Sequence, residues 1–188
     1  MSNFKFTKPP IPGVLVIEPE VYEDARGFFM ETYKREAFEQ AGLAALFVQD
    51  NQSKSAKGVL RGLHYQLNPH PMGKLVRVLR GKIFDVGVDI RKGSPTFGKY
   101  FAETLSEENR KMLYFPPGIA HGFLSLEDGS EVLYKCTGSY SKDSERGLLW
   151  NDPEIGISWP LKEVGQVILS DKDKRNPGIK QAETNFTF

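Results

Sequence analysis

The stretch RGLHYQLNPHPMGKLVRVLRG, Arg61 to Gly81, decides how this chain is read, together with its echo PPGIAH at Pro116 to His121. Two strand-like runs each end on a histidine, His64 and His121, and a lone lysine, Lys74, sits between them. A histidine base, a second polar wall and a fixed cation are the parts of one pocket inside a small β-barrel. Around this stretch the pattern is β, with runs at Phe47–Ser53, Gly58–Tyr65, Lys74–Arg80, Ile83–Ile90, Tyr100–Leu105, Met112–Phe115, Gly122–Leu126 and Glu131–Thr137. Glycine and proline clusters punctuate them, and short strands at intervals of about 8–12 residues predict a sandwich or barrel rather than a parallel α/β sheet. Within Ile83–Ile90 the apolar residues Phe84, Val86, Val88 and Ile90 alternate with Asp85, Gly87 and Asp89. One face of that strand is core, and the other looks into a polar space or solvent.

Outward from the β region, Val14–Ile17 is a β-branched run bracketed by Pro12 and Pro19 and reads as a strand with stops at both ends. Asp24-Ala25-Arg26-Gly27 is a turn, and Phe28–Tyr33 a strand whose alternation places at least one of Phe28 and Phe29 in the core. Ala37, Phe38, Ala41 and Ala45 recur at helical spacing, which predicts a helix over Lys34–Ala45 with Gly42 as a stop. The tail from Trp150 to Phe188 shows no comparable pattern. No internal repeat or linker divides the chain, so a single domain over residues 1–188 is expected.

Charge and cysteine content narrow the class. With 25 Lys+Arg against 24 Asp+Glu the net charge is +1, which provides no global field for nucleic acid or an anionic membrane. Any anion site must be local. The single cysteine, Cys136, excludes an internal disulfide framework. No apolar run approaches the ~20 residues that span a bilayer, and MSNFKFTKPP has no apolar signal region, so a cytoplasmic setting is expected.

The spacing of the two histidine motifs resembles that of the cupin jelly-roll superfamily. Its first motif has two histidines one apart, then a glutamate, six residues and a glycine; its second is Pro-x-Gly-x-x-His. Here Lys74 stands where the glutamate belongs and Gln66 where the second histidine belongs, while Pro116 to His121 supplies the second motif. A divalent metal needs neutral imidazoles and carboxylates converging on it. An ammonium in place of the carboxylate reverses the field, so no metal and no cofactor is expected, and the pocket suits a developing anion.

Proton abstraction beside a carbonyl fits such a pocket. The carbanion delocalises onto the carbonyl oxygen, and a preorganised cation there is worth several kcal/mol in a low-dielectric site. A histidine, with an ordinary pKa of about 6.5, suits the base role near neutral pH. It would still need an orienting carboxylate, and an acid on the opposite face if the carbon is to be inverted.

The blocks Asp24-x-Arg-Gly-Phe-Phe-x-Glu31-x-Tyr33, Phe47-Val-Gln-Asp-Asn51, Gly58-Val-Leu-Arg-Gly-Leu-His-Tyr-Gln66, Gly73-Lys-Leu-Val-Arg77, Phe84-Asp-Val-x-Val-Asp-x-Arg91, Ala120-His-Gly-Phe123, Tyr134-Lys-x-Thr137 and Trp150-Asn-Asp-Pro153 closely resemble the dTDP-4-dehydrorhamnose 3,5-epimerases. The match runs from about residue 10 to 177. The resemblance implies a jelly-roll homodimer that inverts carbons 3 and 5 beside the ketone of a dTDP-4-keto-6-deoxy sugar, without cofactor. It implies His64 as base, Tyr134 as acid, Lys74 as enolate stabiliser and Asp173 as the carboxylate orienting His64, with Asp171 a near competitor. It further implies Arg26, Glu31, Gln49, Asp50, Asn51, Arg61, Glu145 and Lys172 as nucleotide and phosphate contacts, His121 on the sugar side and Tyr140 as a stacking ring. In the family the N-terminal segment reaches into the partner, so Arg26 and Glu31 are expected to serve the neighbouring pocket. His70, in an Asn-Pro-His-Pro loop, is assigned no role. The rival readings are a single-carbon epimerase or ketoisomerase, a metal-dependent cupin oxygenase and a non-catalytic sugar-nucleotide binding module.

Overall fold

Period-2 strands that are apolar on both faces need cover on both sides, and the chain supplies it with two facing sheets and peripheral segments. A computed structural model describes residues 3–188. One antiparallel sheet has the order β1 (Phe4–Thr7), β2 (Leu15–Pro19), β10 (Met112–Phe115), β7 (Lys74–Arg80), β12 (Ser130–Cys136), β5 (Gln49–Ser55). The other runs β13 (Glu145–Gly147), β6 (Leu60–Gln66), β11 (Ile119–Ser125), β8 (Lys82–Asp89), β9 (Tyr100–Ser106). Their faces enclose Val76, Val78, Leu113 and Phe115 from the first sheet and Ile83, Leu105, Ile119 and Phe123 from the second, all buried. This is the expected all-β cupin-type jelly roll.

Each sheet also carries apolar residues on its outer face. Behind the first lies the short helix α1 (Arg35–Gln40), whose Phe38 is fully buried against Phe4, Ile17, Met112 and Tyr114. Burying such a side chain stabilises by roughly 1.5–3 kcal/mol. The helix is shorter than the expected Lys34–Ala45, because Gly42 takes φ +91 and only Leu43 continues into the core. Behind the second sheet the tail lays Ile155, Trp159 and Phe186 over Val86, Val88 and Ile90. The tail is therefore an ordered layer despite its irregular pattern. Strand β8 is buried on both faces, and Asp85 and Asp89 are fully enclosed rather than solvated.

One expectation fails in the β3–β4 region. A hairpin of β3 (Val21–Asp24) and β4 (Gly27–Met30) forms its own two-stranded sheet. Neither Phe28 nor Phe29 is core: they are 56% and 66% exposed, because no second layer of the chain covers the hairpin. Phe28 is touched instead by the Arg110 guanidinium, 4.3 Å from the ring centroid. The histidines differ from expectation too, lying inside strands β6 and β11 rather than at strand ends.

Strands β6 and β11 pair with His121 directly opposite His64. Their approach requires glycine. A Cβ on Gly62, whose φ is +129, would lie 2.5 Å from Gly122 Cα and 2.9 Å from the His121 carbonyl oxygen. Backbone cannot yield as a flexible side chain can, so Gly62→Ala is expected to destabilise by about 3 kcal/mol, at the upper end of overpacking costs. A chemical-denaturation midpoint for the variant equal to that of the parent would contradict this close crossing.

Candidate active site

The pocket is built from both sheets. His64 on β6 and His121 on β11 enter from one wall, while Lys74 on β7, Tyr134 on β12 and Asn51 on β5 enter from the other. Cross-strand pairing explains the second group: Tyr134 is opposite Val76 and Asn51, and Cys136 is opposite Lys74, so their side chains share the inward face. The cavity measures ≈ 550 Å³, opens to solvent and is also lined by Arg61, Ser53, Lys172 and Asp173. A second hollow of ≈ 370 Å³ shares His64, Lys74 and Asn51 and adds Gln49, Gln66, Tyr140 and Glu145.

His64 Nε2 bonds Asp173 Oδ1 at 2.6 Å. The carboxylate, 3% exposed, sits on a single 3₁₀ turn at Asp173–Arg175, where the Ser170 hydroxyl donates to its second oxygen at 2.9 Å. Burial alone would raise the Asp173 pKa, but the hydrogen bond and charge of His64, with Ser170 and the Gly62 amide, outweigh it and hold the group below its usual range. An anionic Asp173 keeps the imidazole proton on Nε2 and leaves the Nδ1 lone pair free for a substrate. Asp171 does not compete, because its exposed carboxylate pairs with Lys174.

Opposite stands Tyr134, its hydroxyl 2.9 Å from Ser53 Oγ. Burial pushes its pKa far up, with Ser53 and Arg61 only partly opposing, so the side chain is a neutral phenol across the ordinary pH range. Burial pulls Lys74 below the usual lysine range, against the attraction of Cys136, Asp85 and Glu145. Among the described residues Lys74 has no carboxylate within ion-pair distance, so its ammonium is available to an oxygen in the cavity.

Beneath this layer lies a second His–carboxylate pair, His121 Nε2 to Asp85 Oδ1 at 2.7 Å, with both residues buried. Burial raises Asp85 and lowers His121, each partner offsetting the effect only in part. Asp85 Oδ2 has no hydrogen-bond partner among the described residues. Sequence reasoning did not select Asp85, although its alternation with Gly87 and Asp89 on a strand apolar elsewhere was a usable signal. Ser53 and Ser170 were also passed over, since a lone serine carries no pattern.

At the mouth, Tyr140 is exposed and donates to Glu145 Oε2 at 3.0 Å, and Lys172 pairs with the same carboxylate. Burial alone would raise the Glu145 pKa, but these two donors hold it low. Arg61 is aimed by Ser55 Oγ at 3.1 Å and the Lys54 carbonyl at 3.2 Å. Gln49 accepts from the Tyr140 amide at 3.1 Å. Three expected contacts are not brought to this cavity. Asp50 alternates to the opposite face of β5 and pairs with Lys135 at 2.9 Å. Arg26 bonds Asp24 on the separate hairpin, and Glu31 accepts from Asn3 at 3.2 Å. Among the described residues no group of three or more His, Cys, Asp or Glu is arranged to hold a metal ion, and no helix is long and apolar enough to cross a membrane.

Comparison with known proteins places this geometry. The family model for dTDP-4-dehydrorhamnose 3,5-epimerase matches residues 8–181. The dTDP-4-dehydrorhamnose 3,5-epimerase of Methanothermobacter thermautotrophicus is 52% identical over 93% of this chain and 94% of its own. The crystal structure of a dTDP-6-deoxy-D-glucose-3,5-epimerase from Legionella pneumophila in complex with dTDP-4-keto-L-rhamnose superposes with TM-score 0.90 at 45% identity, over 95% of this chain and 94% of that one. A 3'-monoepimerase from Streptomyces bikiniensis in complex with dTDP-quinovose gives TM-score 0.86 at 34% identity, over 92% and 86%. With a family model spanning nearly the whole chain and half its residues shared with a curated relative, the protein belongs to the dTDP-4-dehydrorhamnose 3,5-epimerase family.

Proposed function

We propose that this protein converts dTDP-4-dehydro-6-deoxy-D-glucose to dTDP-4-dehydro-L-rhamnose by inverting carbons 3 and 5 on either side of the C4 ketone. One observation carries the reading: a His–Asp base on one sheet and a neutral tyrosine on the facing sheet flank one cavity, with an unpaired lysine beside them. His64 takes the proton from the carbon next to the ketone, and its electron pair moves onto the ketone oxygen. Lys74 stabilises the resulting enolate. Tyr134 then gives its proton to the carbon from the opposite face, which inverts the centre. Arg61 and Lys172, with the exposed Tyr140 ring, serve the nucleotide diphosphate, since fixed cations suit phosphate oxygens and an aromatic face suits a base, while Glu145 holds Lys172 and Tyr140 in place.

Base and acid on separate walls predict separable defects. Run in heavy water, the wild-type enzyme should place deuterium at carbons 3 and 5 of the keto sugar. Tyr134→Phe should still exchange hydrogen through His64 while inversion falls by ~10²–10⁴, the usual contribution of a positioned acid. His64→Ala should abolish both. Label confined to carbon 3 in the wild type would favour the single-carbon reaction of the monoepimerase relative instead.

Lys74 sets the alkaline limit. Its charge is present below its lowered pKa and lost as pH rises through it, so kcat/KM should decline at a pH below the ordinary lysine value of 10.5. In Lys74→Arg the residual activity should lose this decline, because guanidinium stays protonated. An identical alkaline limb in that variant would assign it to another group.

A homodimer with exchanged N-terminal segments accounts for the three displaced features. The β3–β4 hairpin exposes Tyr22, Phe28 and Phe29, β5 is a free sheet edge beside exposed Leu46 and Val48, and Arg26 and Glu31 lie outside the cavity of their own chain. Uncovered aromatic surface and an open edge both call for a partner. A cytoplasmic setting fits a chain whose one thiol, Cys136, is free and buried. If Arg26 serves the neighbouring pocket, mixing inactive Arg26→Ala and His64→Ala subunits should restore about a quarter of wild-type activity, because half of the dimers are mixed and each holds one intact site. No recovery after verified subunit exchange would place Arg26 in its own chain's site or in none.

A further inference from the structure

Among the described residues Tyr134 makes one side-chain hydrogen bond, to Ser53 Oγ at 2.9 Å. The two residues are diagonal neighbours on strands β5 and β12, where Tyr134 pairs with Asn51 and Ser53 lies two residues further along the same face. The phenol is partly buried, with Val76, Phe115 and Phe123 in the cluster it packs on and the His121 ring 6.2 Å away. Ser53 is itself half-exposed and lines the same cavity, next to the exposed residues Asn51 and Gln52.

A two-centre epimerisation leaves a debt of protons at this point in the site. After the first inversion His64 carries a proton and Tyr134 lacks one, so neither can act on the second carbon until both are reset. The imidazolium is part-exposed, with 28% of its side chain open, and can release its proton to water. The phenolate faces substrate on one side and apolar side chains on the other. Ser53 is the hydroxyl that bridges it outward.

We propose that Ser53 is the relay residue that returns a proton to Tyr134 between the two inversions and holds the phenolate in the interval. This rests on the epimerase reading above. In the step itself, the Tyr134 O–H bond breaks as the new C–H bond forms, and the electron pair stays on the phenolate oxygen. Ser53 turns its O–H toward that oxygen. The serine proton then moves to Tyr134 while a water proton moves to Ser53, and the proton released from His64 neutralises the hydroxide left behind. No oxidant or further reactant is needed. The Arg61 charge, anchored by Ser55, assists the same phenolate, and the raised Tyr134 pKa means that reprotonation is strongly favoured once a path exists.

The test compares Ser53→Ala with Ser53→Thr, which keeps the hydroxyl. For Ser53→Ala, kcat should fall about tenfold or more, the loss expected of one hydrogen bond to a charged group, with KM changed less than twofold. Under single-turnover conditions the singly inverted sugar should accumulate, and the solvent deuterium effect on kcat should rise. A small diffusible acid such as imidazolium should restore part of the rate, and Ser53→Thr most of it. Wild-type kcat and product ratio in Ser53→Ala would overturn the proposal. So would equal losses in Ala and Thr variants, or a loss confined to KM, each of which marks a packing role. If the wild type itself labels only one carbon, the two-centre reading fails separately, while the kcat, isotope and rescue measurements still decide whether Ser53 reprotonates Tyr134.

Discussion

The hydrogen bond between His64 and Asp173 spans 109 positions of chain and is the constraint on which the site depends. A carboxylate that is almost fully buried must find partners, since leaving such a group unsatisfied costs at least 1–3 kcal/mol and more when it is charged. Asp173 finds them in His64, Ser170 and the Gly62 amide. The segment that carries it is pinned on both sides. Leu60 donates to the Ile168 carbonyl and Ile168 to that of Gly58, while Leu149 donates to the Pro177 carbonyl. The C-terminal tail thus forms part of the cavity wall and supplies the group that sets the tautomer of His64.

Charge in the interior is arranged so that one cation stays unspent. Asp85 attracts Lys74 without approaching to ion-pair distance, and is itself engaged by His121. A direct salt bridge would have neutralised the ammonium and withdrawn it from the cavity. With no anion nearby, burial would pull its pKa down further. The orphaned Asp85 oxygen is a stability cost accepted at the same place, consistent with polar groups being retained for the pocket rather than for packing.

Legibility in the sequence followed the range of the interactions. Strands β7 and β10 were read to the residue, because their alternation and flanking turns are local. Strand β13 has only three residues, and it exists because Glu145 and Gly147 find partners at Gln66 and His64. The outlying hairpin shows the converse: Phe28 and Phe29 have strand alternation, but no apolar layer of the chain covers them, and only Arg110 lies over the Phe28 ring. Asp50 came in with its neighbours Gln49 and Asn51 as one block, although the two-residue period of a strand sends it to the other face, where Lys135 holds it. Asp85 was visible as a carboxylate on an apolar strand, yet its burial depends on the facing sheet.

The sequence by itself determined the jelly-roll class and the family, and it singled out His64, Lys74 and Tyr134 as candidates, the first two through the histidine motif and the lysine at the glutamate position, the third through the resemblance. Only the tertiary structure decided that base and acid stand on opposite sheets, that Asp173 rather than Asp171 reaches His64, and that Ser53 touches Tyr134. Those relations are distances between residues far apart in the chain. Strand order, register and the close crossing at Gly62 and Gly122 set them, and none of these is written in any single stretch.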